Sequence, residues 1–220
     1  MNEINREDVR KQVVNMLADL KDLAALYIEN DRKVAEMEGN AAYSREYKDA
    51  EIQKIREQLE EKVSVTFENL REHFESMVEV MRENDQVYDF SSPDFISCIT
   101  LISAVEKPLP LETITGIAGK FAGNRQALLA LSEVAKGRNK DTIKEMFFDT
   151  ETQATSLQNR IEDLEIGFPK SVLMIPALKD EIVKIAKIYG EELDDAEQDL
   201  GVDYQDIVTM QMRAAMGLTN

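Results

Sequence analysis

The chain has 220 residues, of which 43% are apolar and 31% charged, and its formal net charge is −17. This composition is typical of a folded protein of one or two domains and excludes a chain that is disordered by composition. The acidic excess argues against direct nucleic-acid binding, which needs a basic surface, and permits an acidic surface that meets a basic protein. Cys98 is the one cysteine, which excludes an internal disulfide and fits a reducing compartment.

The first residues are charged and lack the apolar segment of a signal peptide. No apolar run in the chain approaches the roughly 18–20 residues that a membrane-spanning helix requires. We therefore expect no membrane-spanning segment.

Residues 6–37 are predicted to form a long first helix, since they contain no Gly or Pro and their apolar residues recur at steps of three and four. Asn30 takes the one polar position in this heptad seam. It either fixes the register and number of partners or marks the place where the seam opens. The seam is predicted to be the contact surface of a homo-oligomer, formed by Val9, Val13, Met16, Leu20, Leu23, Tyr27, Asn30 and Val34.

A second, longer helix is predicted from Ser44, a suitable N-terminal cap, to residue 86. Its apolar residues follow steps of three and four, with a run of fours near Val63 that should relax the supercoil. The break between the helices, residues 38–44, is short and contains Gly39 and Asn40. Short helix–helix connections favour antiparallel neighbours, so residues 1–88 are predicted to form a long antiparallel coiled-coil hairpin.

Shorter helices are predicted over residues 91–166, which should form a small bundle. Ser92-Pro93-Asp94 is a strong helix start, and the prolines at 108 and 110 end that helix. Further helices are predicted over residues 111–122 and 125–136 and then from residue 140 to 164. Weak helix formers at residues 150–155 indicate a kink or a break in the last of these.

Residues 167–220 are predicted to form a C-terminal helical segment. It should contain a helix over residues 176–193, an acidic run over 191–199 and a last helix over 203–216. The last helix is rich in methionine, which either packs on the chain's own core or adapts to a partner. Its candidate contact residues are Ile207, Met210 and Met212. No stretch alternates long enough to predict a strand, so the fold class is all-α.

The sequence contains no residue pattern that indicates catalysis, cofactor binding or a metal site. His73 has no second histidine near it, and Cys98 has no base indicated beside it, so we interpret them as a surface imidazole and a buried apolar residue. Gly116 and Gly119 are explained by close helix packing. The acidic residues 191–195 lack the spacing and glycine of a calcium loop. We expect neither enzyme activity nor a cofactor.

Three segments carry a family resemblance: Tyr43–Arg56, Leu109–Glu112 and Lys120–Leu128. In this order they resemble a family of uncharacterised proteins from phages and prophages of Gram-positive bacteria, over residues 20 to 140. The resemblance implies a place in the structural gene module, among head and packaging genes. It also implies a role in the virion or in its assembly.

The resulting hypothesis is a non-enzymatic phage structural or assembly protein of the host-cell cytoplasm or the virion. It would act by self-association and by contacts with other virion or assembly proteins. An alternative is an acidic, phage-encoded inhibitor of a host defence system that mimics nucleic acid, and an enzyme of unknown class is a third. The inhibitor predicts acid clustered on one side of the surface, and the structural protein predicts dispersed acid.

Overall fold

The structure is a computed structural model that describes residues 6–84, 88–146, 150–189, 191–202, 205, 207–209 and 212. Within these residues the regular structure is entirely helical, which confirms the predicted all-α class. The helices are α1 Arg6–Gly39, α2 Arg45–Asn84, α3 Pro93–Ala104, α4 Leu111–Gly119, α5 Arg125–Val134, α6 Arg138–Glu145, α7 Thr150–Gly167, α8 Ile175–Ile188 and α9 Asp195–Gln198. A 3₁₀ segment, Lys170–Met174, precedes α8.

The two long helices pair as an antiparallel hairpin. Near the turn, the ammonium group of Lys48 donates a hydrogen bond of 2.7 Å to the carbonyl oxygen of Glu38. Farther along the pair, Asp19 of α1 meets His73 of α2, so residue numbers fall on one helix as they rise on the other. Ser44 accepts a hydrogen bond from the backbone N–H of Tyr47 and so caps α2 as predicted.

Contacts divide the chain into two compact units, each built from non-contiguous segments. Unit 1 comprises residues 1–12, 76–156 and 184–192, and unit 2 comprises residues 13–75, 157–183 and 193–220. The predicted division into the consecutive segments 1–88, 91–166 and 167–220 stays a prediction.

Unit 2 is the hairpin together with helices from the second half of the chain. The heptad residues of α1 in this unit are buried from Val13 to Tyr27, as expected for the apolar side of an amphipathic helix. An ion pair joins Arg71 of α2 to Glu165 of α7, and another of 3.0 Å joins Arg160 of α7 to Glu181 of α8. The core of the unit includes Val13, Met16, Leu20, Leu23, Phe67, Leu70, Ile161, Leu164, Leu178 and Ile182.

Unit 1 has its own core of short helices. Asn124 accepts a hydrogen bond of 2.9 Å from the backbone N–H of Ala127 and so starts α5, directly after Gly123. Gly123 has a positive φ of 79° and lies against the ring of Tyr189, so a side chain here would be both strained and crowded. The core cluster contains Phe95, Cys98, Ile102, Ile114, Ala118, Phe121, Leu128, Leu131 and Ile143.

The predicted sixth helix is two helices. Residues 150–155, in which a kink or break was predicted, are helical and begin α7, whereas α6 ends earlier, at Glu145. Residues 150–155 stay helical because tertiary packing outweighs weak intrinsic propensity: Thr150, Ala154 and Leu157 are buried. The predicted last helix, residues 203–216, lies largely outside the described residues.

The structure contains no helix, among the residues it describes, that is both long and apolar enough to cross a membrane.

Candidate functional site

A groove of about 510 Å³ in unit 2 is the candidate binding site. Its apolar wall combines Leu59, Val63 and Phe67 of α2 with Phe168 and Pro169, which follow α7. The rings of Phe67 and Phe168 pack edge to face, with centroids 5.9 Å apart. This geometry is favourable for aromatic pairs and fixes the wall where the chain turns after α7.

Polar side chains line the other parts of the groove. Arg56 and Glu60 of α2 are exposed, and Glu165 is held by its ion pair with Arg71. A groove of this size, mainly apolar and with a few charged groups, is typical of sites that accept a ligand or a partner's side chains. It contains charges of both signs, so it can orient an amphipathic segment.

Asn30 of α1 also lines the groove, and its Oδ1 atom is buried without a hydrogen-bond partner. An unsatisfied buried acceptor costs about 1–3 kcal/mol. Before Asn30 the seam is closed, with Leu20 and Leu23 fully buried, and beyond it Val34 and Met37 are only half-buried. Of the two interpretations of this position, the structure favours the one in which the seam opens.

His73 and Asp19 form a pair between the hairpin helices. The Nδ1 atom of His73 lies 2.7 Å from Oδ2 of Asp19, so the ring can donate a hydrogen bond to the carboxylate. Burial raises the pKa of Asp19 above its ordinary value, and the hydrogen bond and charge of His73 oppose this rise. The predicted surface imidazole is therefore half-buried and has a structural partner.

Glutamates form a ridge on the outer side of α2. Glu57, Glu61, Glu68, Glu72 and Glu75 are all exposed. At about 100° per residue they fall within about 60° of one another around the helix, over an axial length of about 27 Å. We call these residues the α2 ridge. Its side lies opposite the buried line of the same helix, and the uncharged, exposed Ser64 lies beside it.

The chain was compared with protein families, with curated proteins and with solved structures, and nothing matches.

The predicted contact residues of α1 are mostly buried inside their own chain. Residues Val9, Val13, Met16, Leu20 and Leu23 are fully buried, and Tyr27 is nearly so. A second copy could reach them only if α1 separated from its neighbours. Their predicted role as a contact between copies stays a prediction, and their role in the core of the chain is visible.

The C-terminal contact residues differ from one another. Ile207 is buried, whereas 60% of the Met212 side chain is exposed. Met210 lies outside the described residues. Ile207 therefore behaves as the core alternative predicts and Met212 as the docking alternative predicts.

The structure gives Cys98 and two residues of the acidic run a structural role. Cys98 is buried in the core of unit 1, as predicted. In the acidic run, Asp194 and Glu197 form a capping box that starts α9. Across the described segments, no group of three or more His, Cys, Asp or Glu side chains is placed to hold a metal ion.

Sequence reasoning missed the groove. Phe168 and Pro169 lie at the start of the predicted C-terminal segment, residues 167–220, yet they form part of the groove's wall. The available signal was an aromatic residue beside a proline directly after a glycine at the end of a helix. That pattern predicts a turn but does not say which distant helix the aromatic ring packs against.

Proposed function

We propose that the chain is a non-enzymatic structural or assembly protein of a phage, and that it acts by contacts with itself and with other proteins. The observation that carries the contact role is the groove of unit 2, which exposes an apolar wall between charged residues. The phage role depends on the resemblance over residues 20 to 140. Its place of action would be the host-cell cytoplasm or the virion.

The groove suits an amphipathic partner segment. Val63 and Phe168 of its wall are half-buried and Pro169 is exposed, so apolar side chains of a partner can reach these three residues. Arg56 and Glu60 lie on α2, as Val63 does, and supply charges that can select the direction of the partner. Apolar anchors with charged edges are the usual composition of a protein–protein contact.

The test is mass spectrometry of purified particles and assembly intermediates from cells that carry the gene, with wild-type chain and two variants. Val63→Glu places a charge in the groove. Val65→Glu places the same charge two residues away at an exposed position, and 53% of the Val65 side chain is exposed. We expect wild type and V65E to co-purify with particles or intermediates and V63E to be lost. Absence of the wild-type chain from both fractions would contradict the proposal.

The α2 ridge supports the second candidate, an acidic inhibitor that binds a nucleic-acid-binding enzyme of host defence. A row of five carboxylates over about 27 Å can occupy positions at which a basic cleft binds phosphates. Replacing Glu61, Glu68 and Glu72 together with Gln should then weaken inhibition and reduce its salt dependence. The structural role instead predicts that this triple variant assembles normally.

A further inference from the structure

The groove of unit 2 has an apolar wall on one side and carboxylates on the other. At about 100° per residue, Glu60 lies about 60° around α2 from Val63, and Glu57 lies about 120° from it. Ser64, which also lines the groove, falls between the two glutamates around the helix and is exposed. The α2 ridge, which includes Glu57 and Glu61, therefore begins at the edge of the groove, and the apolar wall and the acidic edge form one continuous surface.

The carboxylates at this edge are available to a partner. Within the described part of the chain, Glu60 and Glu61 have no ion-pair partner. The carboxylate of Glu57 accepts a hydrogen bond of 3.0 Å from the side chain of Gln53, which is a neutral amide. Lysine or arginine side chains of a partner can therefore pair with these glutamates without breaking an existing ion pair.

We propose that the groove and its acidic edge bind a basic amphipathic helix of another protein. The proposal rests on the protein-contact role in the proposed function and names the chemistry of the partner. Apolar side chains on one face of that helix would cover Val63, Phe168 and Pro169. Lysine or arginine side chains beside this face would pair with Glu60 and Glu61.

The charge of the chain favours this occupant over the others that an apolar groove can accept. At a net charge of −17 the chain repels nucleic acid, an anionic membrane surface and a second copy of itself, because each of these is negatively charged. An uncharged apolar segment would cover the wall and leave the glutamates at its edge unused. A basic amphipathic helix satisfies both parts of the surface, and the acidic chain attracts it from a distance. Self-association in the proposed function would then use another surface.

The length of the groove limits the size of the partner. From Arg56 to Phe67 its lining extends about 17 Å along α2, so a helix of about three turns covers it. Arg56 is the one basic side chain among the described residues that line the groove, and it lies at one end. It can bind the carbonyl oxygens at the C-terminal end of a docked helix, which carry a partial negative charge.

The first test measures the binding of synthetic helices to the full chain by fluorescence anisotropy. The probe is a labelled peptide of about 14 residues in which leucine recurs at steps of three and four and lysine fills the other positions. One control peptide has glutamate in place of lysine, and the other has the same leucines and lysines in an order that forms no apolar stripe. We expect the basic amphipathic probe to bind at least about tenfold more tightly than either control. No binding of the probe, or equal binding of the reordered peptide, would overturn the proposal.

The second test separates the apolar wall from the charges. Val63→Asn removes apolar surface from the groove without changing the charge and should weaken binding of the probe about tenfold. Val65→Asn makes the same change at a position of α2 that is 53% exposed and does not line the groove, so it should bind like wild type. Equal affinity of the two variants would mean that the wall is not used and would overturn the proposal.

Ser64 allows the charge of the edge to be changed in both directions at one exposed position. Ser64→Lys should weaken binding of the basic probe and Ser64→Glu should strengthen it, each about three- to tenfold at low salt and less at high salt. Circular dichroism checks that each variant is folded. Unchanged affinity in both Ser64 variants, or the opposite order, would contradict the assigned charge of the partner.

These outcomes are separate from the test of the proposed function. If the probe and the variants fail while the chain co-purifies with particles or intermediates, the chemistry of the partner is wrong and the structural role stands. If the probe binds as expected while the chain is missing from both fractions, the proposed function fails and the preference of the groove for a basic helix stands.

Discussion

The outer side of α2 in unit 2 and the outer side of α3 in unit 1 follow opposite rules. Both helices bury one apolar line, as amphipathic helices do. The α2 ridge then exposes only carboxylates, whereas α3 exposes the apolar side chains of Ile96 and Leu101. The inner sides explain the fold of each unit.

A second contrast concerns the residues predicted to make contacts. The α1 seam is the strongest apolar pattern in the sequence, and it is used inside the chain: Leu20 and Leu23 are fully buried. Regular periodicity therefore identifies a buried surface without saying whether its partner is another helix of the same chain or another copy.

The largest expected effect is at the seam. Leu20→Ala removes a fully buried side chain from the core of unit 2 and should lower the free energy of unfolding by about 2–5 kcal/mol. Val65→Ala, at an exposed position of α2, should change it by less than about 0.5 kcal/mol. Chemical denaturation of both variants measures the difference. A loss below about 1 kcal/mol in L20A would mean that the seam is not a tightly packed core.

The next comparison uses two glycines of unit 1. Gly123→Ala meets both a positive φ of 79° and ring carbons of Tyr189 2.5 Å from the new Cβ, so we expect a loss of about 1–3 kcal/mol or more. Gly116→Ala lies within α4, with no atom within 4 Å of the new Cβ, and should instead stabilise by about 0.5–1 kcal/mol. Thermal unfolding shows whether each variant is more or less stable than wild type. The same sign for the two variants would contradict the role assigned to Gly123.

Replacing Asn30 is expected to raise the free energy of unfolding, whereas Leu20→Ala and Gly123→Ala lower it. Asn30→Leu removes the unpaired buried Oδ1 and adds an apolar residue to the seam, so stability should rise by about 1 kcal/mol. Gln53→Leu, at an exposed position of α2, is the control and should change little. A destabilised N30L would show that the Asn30 amide makes a favourable interaction in solution.

The smallest effect concerns pH. Burial raises the pKa of Asp19 in the folded chain, so folding favours its protonated form. This contribution to stability is present below the ordinary aspartate pKa and is lost as the pH rises through the raised value. Asp19→Asn should therefore gain stability relative to wild type between about pH 4 and about pH 7. Urea titrations at both pH values measure the free energy of unfolding of the variant and of wild type. A stability advantage of Asp19→Asn that shrinks as the pH rises would contradict the raised pKa of Asp19.

Local signals allowed much of the fold to be predicted. The heptad residues of α1, the cap at Ser44 and the Ser92-Pro93 start each act within a few residues, and the structure has them as expected. The packing of α7 on α2 could not be predicted, because the Arg71–Glu165 ion pair joins residues 94 positions apart in the chain. Likewise, Phe168 joins the groove through a contact with Phe67 that no local pattern encodes.

The candidate sites were harder to predict than the helices. Residues 95–105 were visible as a helix, but which of their apolar side chains stay exposed depends on the packing of α5 and α6 in unit 1. Ile99 is half-buried, whereas Cys98 and Ile102 point inward. An exposed apolar face becomes recognisable only after the core has been assigned.

The most direct measurement is amide hydrogen exchange of the wild-type chain at a low and at a high concentration. Our account predicts that amides of residues 9–34 in α1 exchange at unchanged rates, because their seam is already buried within the chain. Added protection along α1 at the higher concentration would contradict it and would return the contact between copies to the seam.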